Sequence, residues 1–483
     1  MNTQLTSYQH DMVLSELLDI VGKEDLSIAT PDKFVYAIDH YWVPEMWLDR
    51  GKQPVLPDFV VHPESPEEVS RIMKLANTYR IPVTPWGGGS GSQGGSLPVY
   101  GGIILDVKKL NKIIDIDTRS LTITAQAGIN GEHLEWAANQ KGITVGHYPA
   151  SQRASTLGGW LAARGSGTLS AKYGKAEDMV MSIQVVLPSG EIIRTLPTPN
   201  HATGPGLMQL LVGSEGTLGV ITEATMRADP IPEERRFRSF LFSSLADGLE
   251  AGRRIMTARI RPMVIRVYDE ESTVKQVKRV LDLTATGTYM VVGFDGFKDF
   301  VDLEEKKVME ICLNIGGKDL GNEAGWKWWN HRYDFYFPPR MKSLPRMFGT
   351  TDTVCTYSNI EKVYYAKKEI IETKYRKWNA YYQAHFSHWY PWGVMVYDEF
   401  FIDKPPQDPH EALILHNEIW ADLVRASISN GGVLNEHHGT GMKLGWLMRE
   451  QYGPAFSTLQ SIKDVIDPNG IMNPGKLGFA LKG

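Results

Sequence analysis

The sequence predicts an α+β fold with more than one domain. Its 483 residues exceed the ~100–200 residues of an ordinary domain. Over roughly residues 30–230, strand-like segments alternate with short helices and glycine-rich turns. After Pro230-Ile231-Pro232 the pattern changes to longer helices separated by strands, which is typical of a separate α+β domain.

The clearest helix of the first part begins after Ser65. Ser65 can cap this helix, Pro66 suits its first turn, and Glu68 completes a capping box. Periodicity predicts further helices at Asp11–Val21, Asn130–Lys141 and Gly206–Val212, and strands at Ile81–Pro85, Ile103–Val107, Ile113–Ile116, Leu121–Ala125, Ile183–Leu187 and Leu218–Met226.

The second part has longer elements. Its patterns predict helices at Leu245–Ala258, Phe300–Ile315 and His410–Asn430, and strands at Phe237–Phe242, Val264–Tyr268, Tyr289–Phe294 and Val394–Ile402. The last ~55 residues return to glycine-rich turns, as in the first part.

Composition excludes several classes of function. The net charge is −5 and no basic stripe is present, which argues against nucleic-acid binding. No apolar stretch approaches the ~18–20 residues of a membrane helix, and the first thirty residues lack a signal-peptide pattern. Cys312 and Cys355 cannot form a disulfide framework or a four-cysteine zinc site. We therefore expect a cytoplasmic enzyme without a membrane span.

The densest glycine cluster runs from Gly87 to Gly95. Gly89 to Gly94 match G-x-G-x-x-G, but the dinucleotide fingerprint requires a helix immediately afterwards. Gly94-Gly95-Ser96-Leu97-Pro98 cannot start one, so a Rossmann site is not expected. Consecutive small residues can instead form a nest of backbone N–H groups that binds an anion. A flexible surface loop is the alternative for this stretch alone.

Two more glycine turns and a terminal motif accompany this cluster. They are Ser155–Gly159, Gly213–Thr222 and Asn473-Pro474-Gly475-Lys476. Together with Pro85–Gly91, they make the chain resemble the flavoprotein superfamily of vanillyl-alcohol oxidase and p-cresol methylhydroxylase over roughly its whole length. The resemblance implies a two-part FAD-binding domain with an α+β cap that carries an antiparallel sheet. It implies the boundaries 1–54 for an N-terminal helical segment, 55–232 for the FAD-binding domain, 233–424 for the cap, and 425–483 for a segment that completes the flavin site.

The resemblance implies FAD as the cofactor, with the first glycine loop around its pyrophosphate. The FAD contacts that it implies are Pro85, Trp86, Gly87, Gly88, Gly89, Ser90, Gly91, Pro149, Ala150, Ser151, Ser155, Gly158, Gly159, Glu215, Gly216, Thr217, Leu218, Gly219, Val220, Ile221 and Asn473. Some relatives attach FAD through a histidine in the first loop. Here the loop has Ser90, Ser92 and Gln93 instead, so a non-covalent flavin is expected.

Two branches of the superfamily match different segments. The ending Asp467–Lys476 resembles D-lactate and glycolate dehydrogenases. Gly158-Gly159-Trp160, Tyr173–Asp178 and His437-His438-Gly439 resemble alkylglycerone-phosphate synthase, which uses FAD without net redox change. The dehydrogenases have Glu-His-Gly at the last position, and their metal-binding variants use that glutamate. Because this chain has His437 there, no metal is expected.

Four residues are the candidate catalytic groups. His438 is expected near the flavin ring, and His437 is the weaker candidate for substrate contact or proton transfer. The resemblance places Arg266 toward the substrate, where a guanidinium could hold a carboxylate or phosphate, although an exposed strand arginine is equally compatible with the pattern. Tyr397 matches a tyrosine of the synthase, with a half-buried strand position as the alternative.

Other polar and aromatic residues in the second part are weaker candidates. Arg332 and Arg340 are alternatives to Arg266, and His385 and His388 lack a third metal ligand. Two aromatic groups indicate either core packing or a bulky substrate pocket, because residues 326–337 show no clean period. The groups are Trp326, Trp328, Trp329, Tyr333, Phe335, Tyr336 and Phe337, and Phe386, Trp389, Tyr390 and Trp392.

The resulting prediction is an FAD-dependent oxidoreductase that acts on a small molecule. Hydride would pass from a hydroxy-bearing substrate, either bulky and aromatic or a 2-hydroxy acid, to flavin N5. The alternative is a transferase similar to alkylglycerone-phosphate synthase. The sequence leaves open the electron acceptor and whether the chain forms a homo-oligomer.

Overall fold

A computed structural model describes residues 6–335 and 344–482. Tyr336, Phe337 and Arg340 lie outside the described residues. The strands are β1 Leu26–Ser27, β2 Phe59–Val61, β3 Val83–Trp86, β4 Ile103–Asp106, β5 Ile113–Asp117, β6 Thr122–Gln126, β7 Ile143–Thr144, β8 Val180–Val186, β9 Ile192–Arg194, β10 Val220–Arg227, β11 Asp229–Pro230, β12 Glu234–Phe242, β13 Val264–Tyr268, β14 Thr288–Gly296, β15 Lys318–Leu320, β16 Met347–Thr356, β17 Ala380–Tyr390 and β18 Gly393–Ile402.

The α-helices lie between and after these strands. They are α1 Ser7–Val21, α2 Thr30–Val35, α3 Trp42–Asp49, α4 Pro66–Tyr79, α5 Gly131–Asn139, α6 Leu157–Ala163, α7 Ser170–Tyr173, α8 Ala176–Met179, α9 Leu207–Leu211, α10 Leu245–Thr257, α11 Glu270–Ser272, α12 Lys278–Leu281, α13 Lys298–Asn314, α14 Gly321–His331, α15 Ile360–Lys374, α16 Pro409–Ser429, α17 Met448–Tyr452 and α18 Phe456–Ile466. Within the described residues, no helix combines the length and the apolar character needed to span a membrane.

The first part contains a four-stranded and a five-stranded sheet. The smaller sheet has the order β1-β2-β4-β3 and the larger one the order β5-β6-β10-β8-β9. Helix α4 begins with the predicted Ser65 cap, because Ser65 Oγ accepts the backbone N–H of Glu68 at 3.2 Å. The predicted capping box is not formed, because Glu68 Oε2 accepts the backbone N–H of Glu64 at 2.7 Å rather than that of Ser65. Met472 forms a parallel bridge with Val83, so the C-terminal segment returns to the first sheet. The chain thus closes on the part where the glycine loops lie.

The second part is built on a seven-stranded antiparallel sheet. Its order is β15-β12-β14-β13-β17-β18-β16, and every pairing in it is antiparallel. Helices α15 and α16 pack on one face over a core that includes Trp420 and Phe400. The predicted α+β class with an antiparallel cap sheet is therefore confirmed.

The sequence patterns predicted fewer strands in this sheet than the structure contains. Strands β16 and β17 were not predicted, because buried polar residues such as Asp352, Gln383 and His385 interrupt the apolar alternation. The interpretation that residues 326–337 have no helical period was wrong for 326–331, which belong to α14. The helix turns Trp328 into the core, where it is 0% exposed.

Candidate active site

One large cavity lies where the glycine loops of the first part meet the cap sheet. Its volume is about 1180 Å³, and residues from both parts line it. Single-ligand pockets usually measure ~300–1,000 Å³. The cavity therefore has room for a large cofactor together with a substrate.

Nearly all of the predicted FAD contacts line this cavity. The exceptions are Thr217, Leu218 and Asn473. The Thr217 hydroxyl donates to the Ser214 carbonyl at 2.7 Å, and Leu218 packs in the core. Asn473 Nδ2 donates to the carbonyls of Gly95 and Glu215, at 2.8 and 2.7 Å. Thr217 and Asn473 therefore stabilise the backbone of the glycine loops, and Leu218 anchors its turn in the core.

The first glycine loop has the geometry of an anion nest. Among the described residues, no hydrogen-bond acceptor takes the backbone N–H groups of Gly88, Gly89, Ser90 or Gly91. Gly88 is required for close approach, because an added Cβ would overlap the carbonyl of Ala154. Polar N–H groups that lack a partner inside a large cavity are the donors that a diphosphate needs. The residues present therefore fit an FAD pyrophosphate.

The predicted catalytic groups converge at the cap side of the same cavity. His437, His438, Tyr397 and Arg266 all line it. The Tyr397 ring stacks on His385 with centroids 4.7 Å apart and meets the His438 ring edge-on at 5.4 Å. Strands β13, β17 and β18 and the loop that follows α16 thus supply these side chains.

Arg266 is not the exposed strand arginine that the sequence also allowed. It is 5% exposed, and its guanidinium lies 5.5 Å from the Trp328 ring. Arg332 also lines the cavity, but it packs on Trp329 at 3.7 Å and donates to the Trp329 carbonyl at 2.6 Å. Both arginines therefore line the cavity, and Arg266 is the more deeply buried of the two.

The loop with the two histidines is held from both sides of the cavity. Glu215 accepts the backbone N–H groups of Thr440 at 2.6 Å and Gly441 at 2.8 Å. From the cap, Asp352 accepts the backbone N–H groups of Glu436 at 3.0 Å and His437 at 2.7 Å. Glu215 thus belongs to a turn predicted to contact FAD and also fixes the loop that carries the histidines.

Glu436 is the centre of a second buried network. One of its oxygens lies 3.2 Å from Lys175 Nζ and accepts the Tyr390 hydroxyl at 2.5 Å, and the other lies 2.8 Å from His388 Nδ1. Burial opposes its ionisation, yet hydrogen bonds from His388 and His437, together with the Lys175 ammonium, hold the pKa of Glu436 below its usual range. Burial lowers the pKa of His388 to about 4. We therefore treat Glu436 as a carboxylate and His388 as neutral.

Two groups of side chains have the composition of a metal site. They are Asp352 with His437 and His438, and His388 with Glu436 and His437, each with ligand atoms within 4.8 Å of one another. The sequence had found no third ligand for His388, and the fold supplies Glu436. In the second group, however, the Lys175 ammonium already faces the carboxylate. The expectation of no metal stays a prediction.

The aromatic groups are mostly core rather than pocket. Of the described aromatic residues in both groups, only Tyr333 lines the cavity. Trp328 and Trp389 are 0% and 1% exposed and pack in the core. The hypothesis of an aromatic substrate pocket built from these residues therefore has no support in the geometry.

Sequence reasoning missed three buried residues near the site. Asp352 lies beneath the histidine pair, and Lys443 and His147 line the cavity. Burial lowers the pKa of Lys443 to about 7, and its Nζ lies 4.0 Å from the Trp420 ring. Burial lowers the pKa of His147 to about 3. A charged residue in an otherwise buried strand, such as Asp352 in β16, was the available signal.

Comparisons with known proteins identify the family. A model described as FAD binding domain matches residues 57–196, and one described as FAD linked oxidases, C-terminal domain matches residues 231–477. The chain is 32% identical to alkyldihydroxyacetonephosphate synthase of Dictyostelium discoideum, over 88% of this chain and 74% of that protein. It is 26% identical to glycolate oxidase subunit GlcD of Bacillus subtilis, over 96% of each chain.

Solved structures agree with this assignment. A structure of alkyldihydroxyacetonephosphate synthase superposes with a TM-score of 0.79 at 28% identity, over 96% of this chain and 84% of that one. A p-cresol methylhydroxylase structure shares the fold, with a TM-score of 0.79 at 19% identity over 98% of each chain. The protein therefore belongs to the FAD-linked oxidase family, it shares the fold of p-cresol methylhydroxylase, and its cofactor is FAD.

Proposed function

We propose that the protein is an FAD-dependent oxidoreductase that oxidises a hydroxyl-bearing substrate with a carboxylate or phosphate group. The observation that carries this proposal is the convergence of buried Arg266 with the His437-His438 pair on one cavity wall. A cation and a proton acceptor at one site suit an anionic alcohol.

We assign to Arg266 the binding of the substrate's carboxylate or phosphate group. A guanidinium holds a carboxylate or phosphate through two parallel hydrogen bonds, and its low exposure strengthens that contact. Because Arg266 can hold either kind of anion, we propose a 2-hydroxy acid or a small phosphate ester as the substrate class.

We assign to His438 the role of accepting the proton of the substrate hydroxyl. Its Nδ1 lies 2.7 Å from Asp352 Oδ1, which orients the ring, and Tyr397 lies beside it. FAD supplies the hydride acceptor when it is bound. The residues of the chain bind the anion, orient the alcohol and accept its proton.

We also propose that FAD is held without a covalent bond. The support is that residues 85–95, around the first glycine loop, contain no histidine. Acid precipitation of the purified protein should release the flavin into the supernatant. Yellow colour that stays in the pellet would contradict this proposal.

An alkyl-transfer function is the second candidate. It is favoured by the 32% identity to alkyldihydroxyacetonephosphate synthase and by the His437-His438 pair. In this case the same cavity would bind a phosphate-bearing substrate and exchange an acyl for an alkoxy group, without net redox change.

Anaerobic mixing of the holoenzyme with substrates separates the two functions. A panel of 2-hydroxy acids and hydroxylated phosphate esters is tested for loss of the oxidised flavin absorbance. Reduction that yields the matching keto product supports the oxidoreductase. Turnover of an acyl-bearing phosphate ester and a long-chain alcohol without any electron acceptor would support the transferase and overturn the first proposal.

A further inference from the structure

A single buried carboxylate serves both histidines of the cavity loop. Asp352 Oδ1 lies 2.7 Å from His438 Nδ1, and Asp352 Oδ2 lies 2.9 Å from His437 Nδ1. Asp352 is 0% exposed. Asn435 Nδ2 also donates to Asp352 Oδ1, at 2.7 Å. Each oxygen of the carboxylate therefore faces one imidazole and accepts at least one N–H group.

We propose that Asp352 is a positioning residue that acts together with Glu436 and burial to give the adjacent histidines different protonation states. It fixes the tautomer of His438, which burial keeps neutral, so that Nε2 accepts a proton. Together with Glu436 it holds His437 as an imidazolium that binds the anionic group of the substrate alongside Arg266. The inference rests on the proposed function, from which the two tasks come.

The tautomer of His438 follows from its short contact with Asp352. A carboxylate oxygen 2.7 Å from Nδ1 requires the proton to be on Nδ1, because two lone pairs would repel each other. In the neutral ring, Nε2 then carries the lone pair. No hydrogen bond from residues 6–335 or 344–482 occupies that nitrogen, and the side chain is 22% exposed along the cavity.

His437 has a more negative environment than His438. Its Nδ1 lies between Asp352 Oδ2, at 2.9 Å, and Glu436 Oε2, at 2.8 Å. Burial alone would lower the pKa of His437, but these two carboxylates raise it to about 9. Burial dominates at His438 and lowers its pKa. The two neighbours therefore differ in charge at neutral pH.

The surrounding charges explain why only one ring is protonated. The carboxylates of Asp352 and Glu436 face two cations, the Lys175 ammonium and the His437 imidazolium. The titratable groups around the pair also include Tyr390, Tyr397, His388, His147, Glu215, and Lys443, whose pKa burial lowers to about 7. A second imidazolium at 438 would be a buried charge without its own carboxylate, which is costly.

The test uses the FAD-loaded enzyme and does not require turnover. Imidazole nitrogen NMR, assigned with His437→Gln and His438→Gln, is recorded between about pH 5 and 10. Phosphate binding is followed in parallel through the flavin absorbance, with inorganic phosphate as the probe. One ring should titrate near pH 9, and the other should remain neutral with its proton on Nδ1. Phosphate affinity should fall as the first ring loses its proton.

Asp352→Asn tests the carboxylate, and Asp398→Asn is the matched control. Asp398 is a buried carboxylate of the same sheet that pairs with Lys367. Asp352→Asn should lower the pKa of His437 by about one unit or more, which weakens phosphate binding at pH 8 by up to about tenfold. Asp398→Asn should leave both titrations in place. Unchanged titrations in Asp352→Asn, or two wild-type rings that titrate together, would overturn the proposal.

The two glutamine variants keep the test decisive if Asp352→Asn does not fold. His437→Gln should remove the phosphate-linked titration near pH 9, and His438→Gln should keep it. The opposite result would overturn the assignment. If no substrate ever reduces the flavin, the proposed function fails while these titrations stand, so the two failures are distinguishable.

Discussion

The two faces of the cap sheet each bury an aspartate, and the two aspartates have different roles. Asp352 on β16 pairs in register with Tyr397, and the preceding Thr351 pairs with Asp398 on β18. Because side chains alternate along a strand, the two carboxylates point to opposite faces. Both are 0% exposed.

The partners of each aspartate decide what it does. On the helix-covered face, Asp398 lies 3.1 Å from the buried Lys367 ammonium and accepts the Tyr382 hydroxyl at 3.0 Å. This is a closed network whose members are all structural. On the cavity face, Asp352 is paired with histidines that still have a nitrogen to offer a ligand. A buried carboxylate indicates function only when its partners face open space.

The largest predicted effect is on the helix-covered face. Asp398→Ala leaves Lys367 as an uncompensated buried charge, which should cost about 3–5 kcal/mol of the free energy of unfolding. Chemical denaturation of the holoenzyme measures this loss. The double variant Asp398→Leu with Lys367→Met is the control and should recover most of it. A loss below about 1 kcal/mol in the single variant would show that the two faces do not differ in this way.

The next effect is on ligand binding at the cavity face. Arg266→Ala should raise the apparent KM by about 10–100-fold, since a charge-assisted hydrogen bond contributes ~1.5–3 kcal/mol. The FAD content should be unchanged. Steady-state kinetics and flavin absorbance measure the two quantities, and Arg254→Ala, on the half-exposed surface of α10, is the control. Loss of FAD in Arg266→Ala would contradict its assignment to the substrate.

Glu215→Ala should destabilise the loop of residues 437–441, which carries the two histidines on the cavity face. The variant leaves the N–H groups of Thr440 and Gly441 without their acceptor, at a cost of about 1–3 kcal/mol. Hydrogen exchange should become faster in residues 437–441 and remain unchanged in β16. Equal protection of this loop in variant and wild type would mean that Asp352 alone holds it.

The smallest predicted effect is on the pH dependence of stability, to which one histidine on each face of the cap sheet contributes. Burial lowers the pKa of His416, on α16, to about 3, whereas two carboxylates raise that of His437 to about 9. A lowered pKa costs stability as pH falls below the unfolded value of ~6.5, because the unfolded state binds the proton more readily. A raised pKa contributes stability below ~6.5 that is lost as pH rises through about 9.

His416→Phe therefore tests the acid side alone. The ring stacks on Trp420 at 4.0 Å, so phenylalanine keeps the packing and removes the titration. The acid-unfolding midpoint should move to slightly lower pH, by a few tenths of a unit, while the alkaline limb stays in place. A shift of the alkaline limb would show that the faces are coupled.

Local patterns in the sequence were sufficient for the glycine loops and for many elements. Strand Val264–Tyr268 was predicted with its observed bounds, and the helix predicted at His410–Asn430 spans Pro409–Ser429. The cofactor was implied by the family resemblance that three short glycine turns and a terminal motif carry. These features are legible because glycine requirements and periodicity act over a few neighbouring residues.

Only the tertiary structure decided how the cavity wall is charged. Asp352 and His438 are 86 residues apart, and the Lys175 ammonium donates to the Glu436 carbonyl across 261 residues. No local pattern specifies such pairs, since they depend on the register of β16 and on where the final loop docks. The sequence by itself therefore determined the family, the cofactor and the candidate histidines. The fold decided their partners, because burial and distance set the charge of a titratable group.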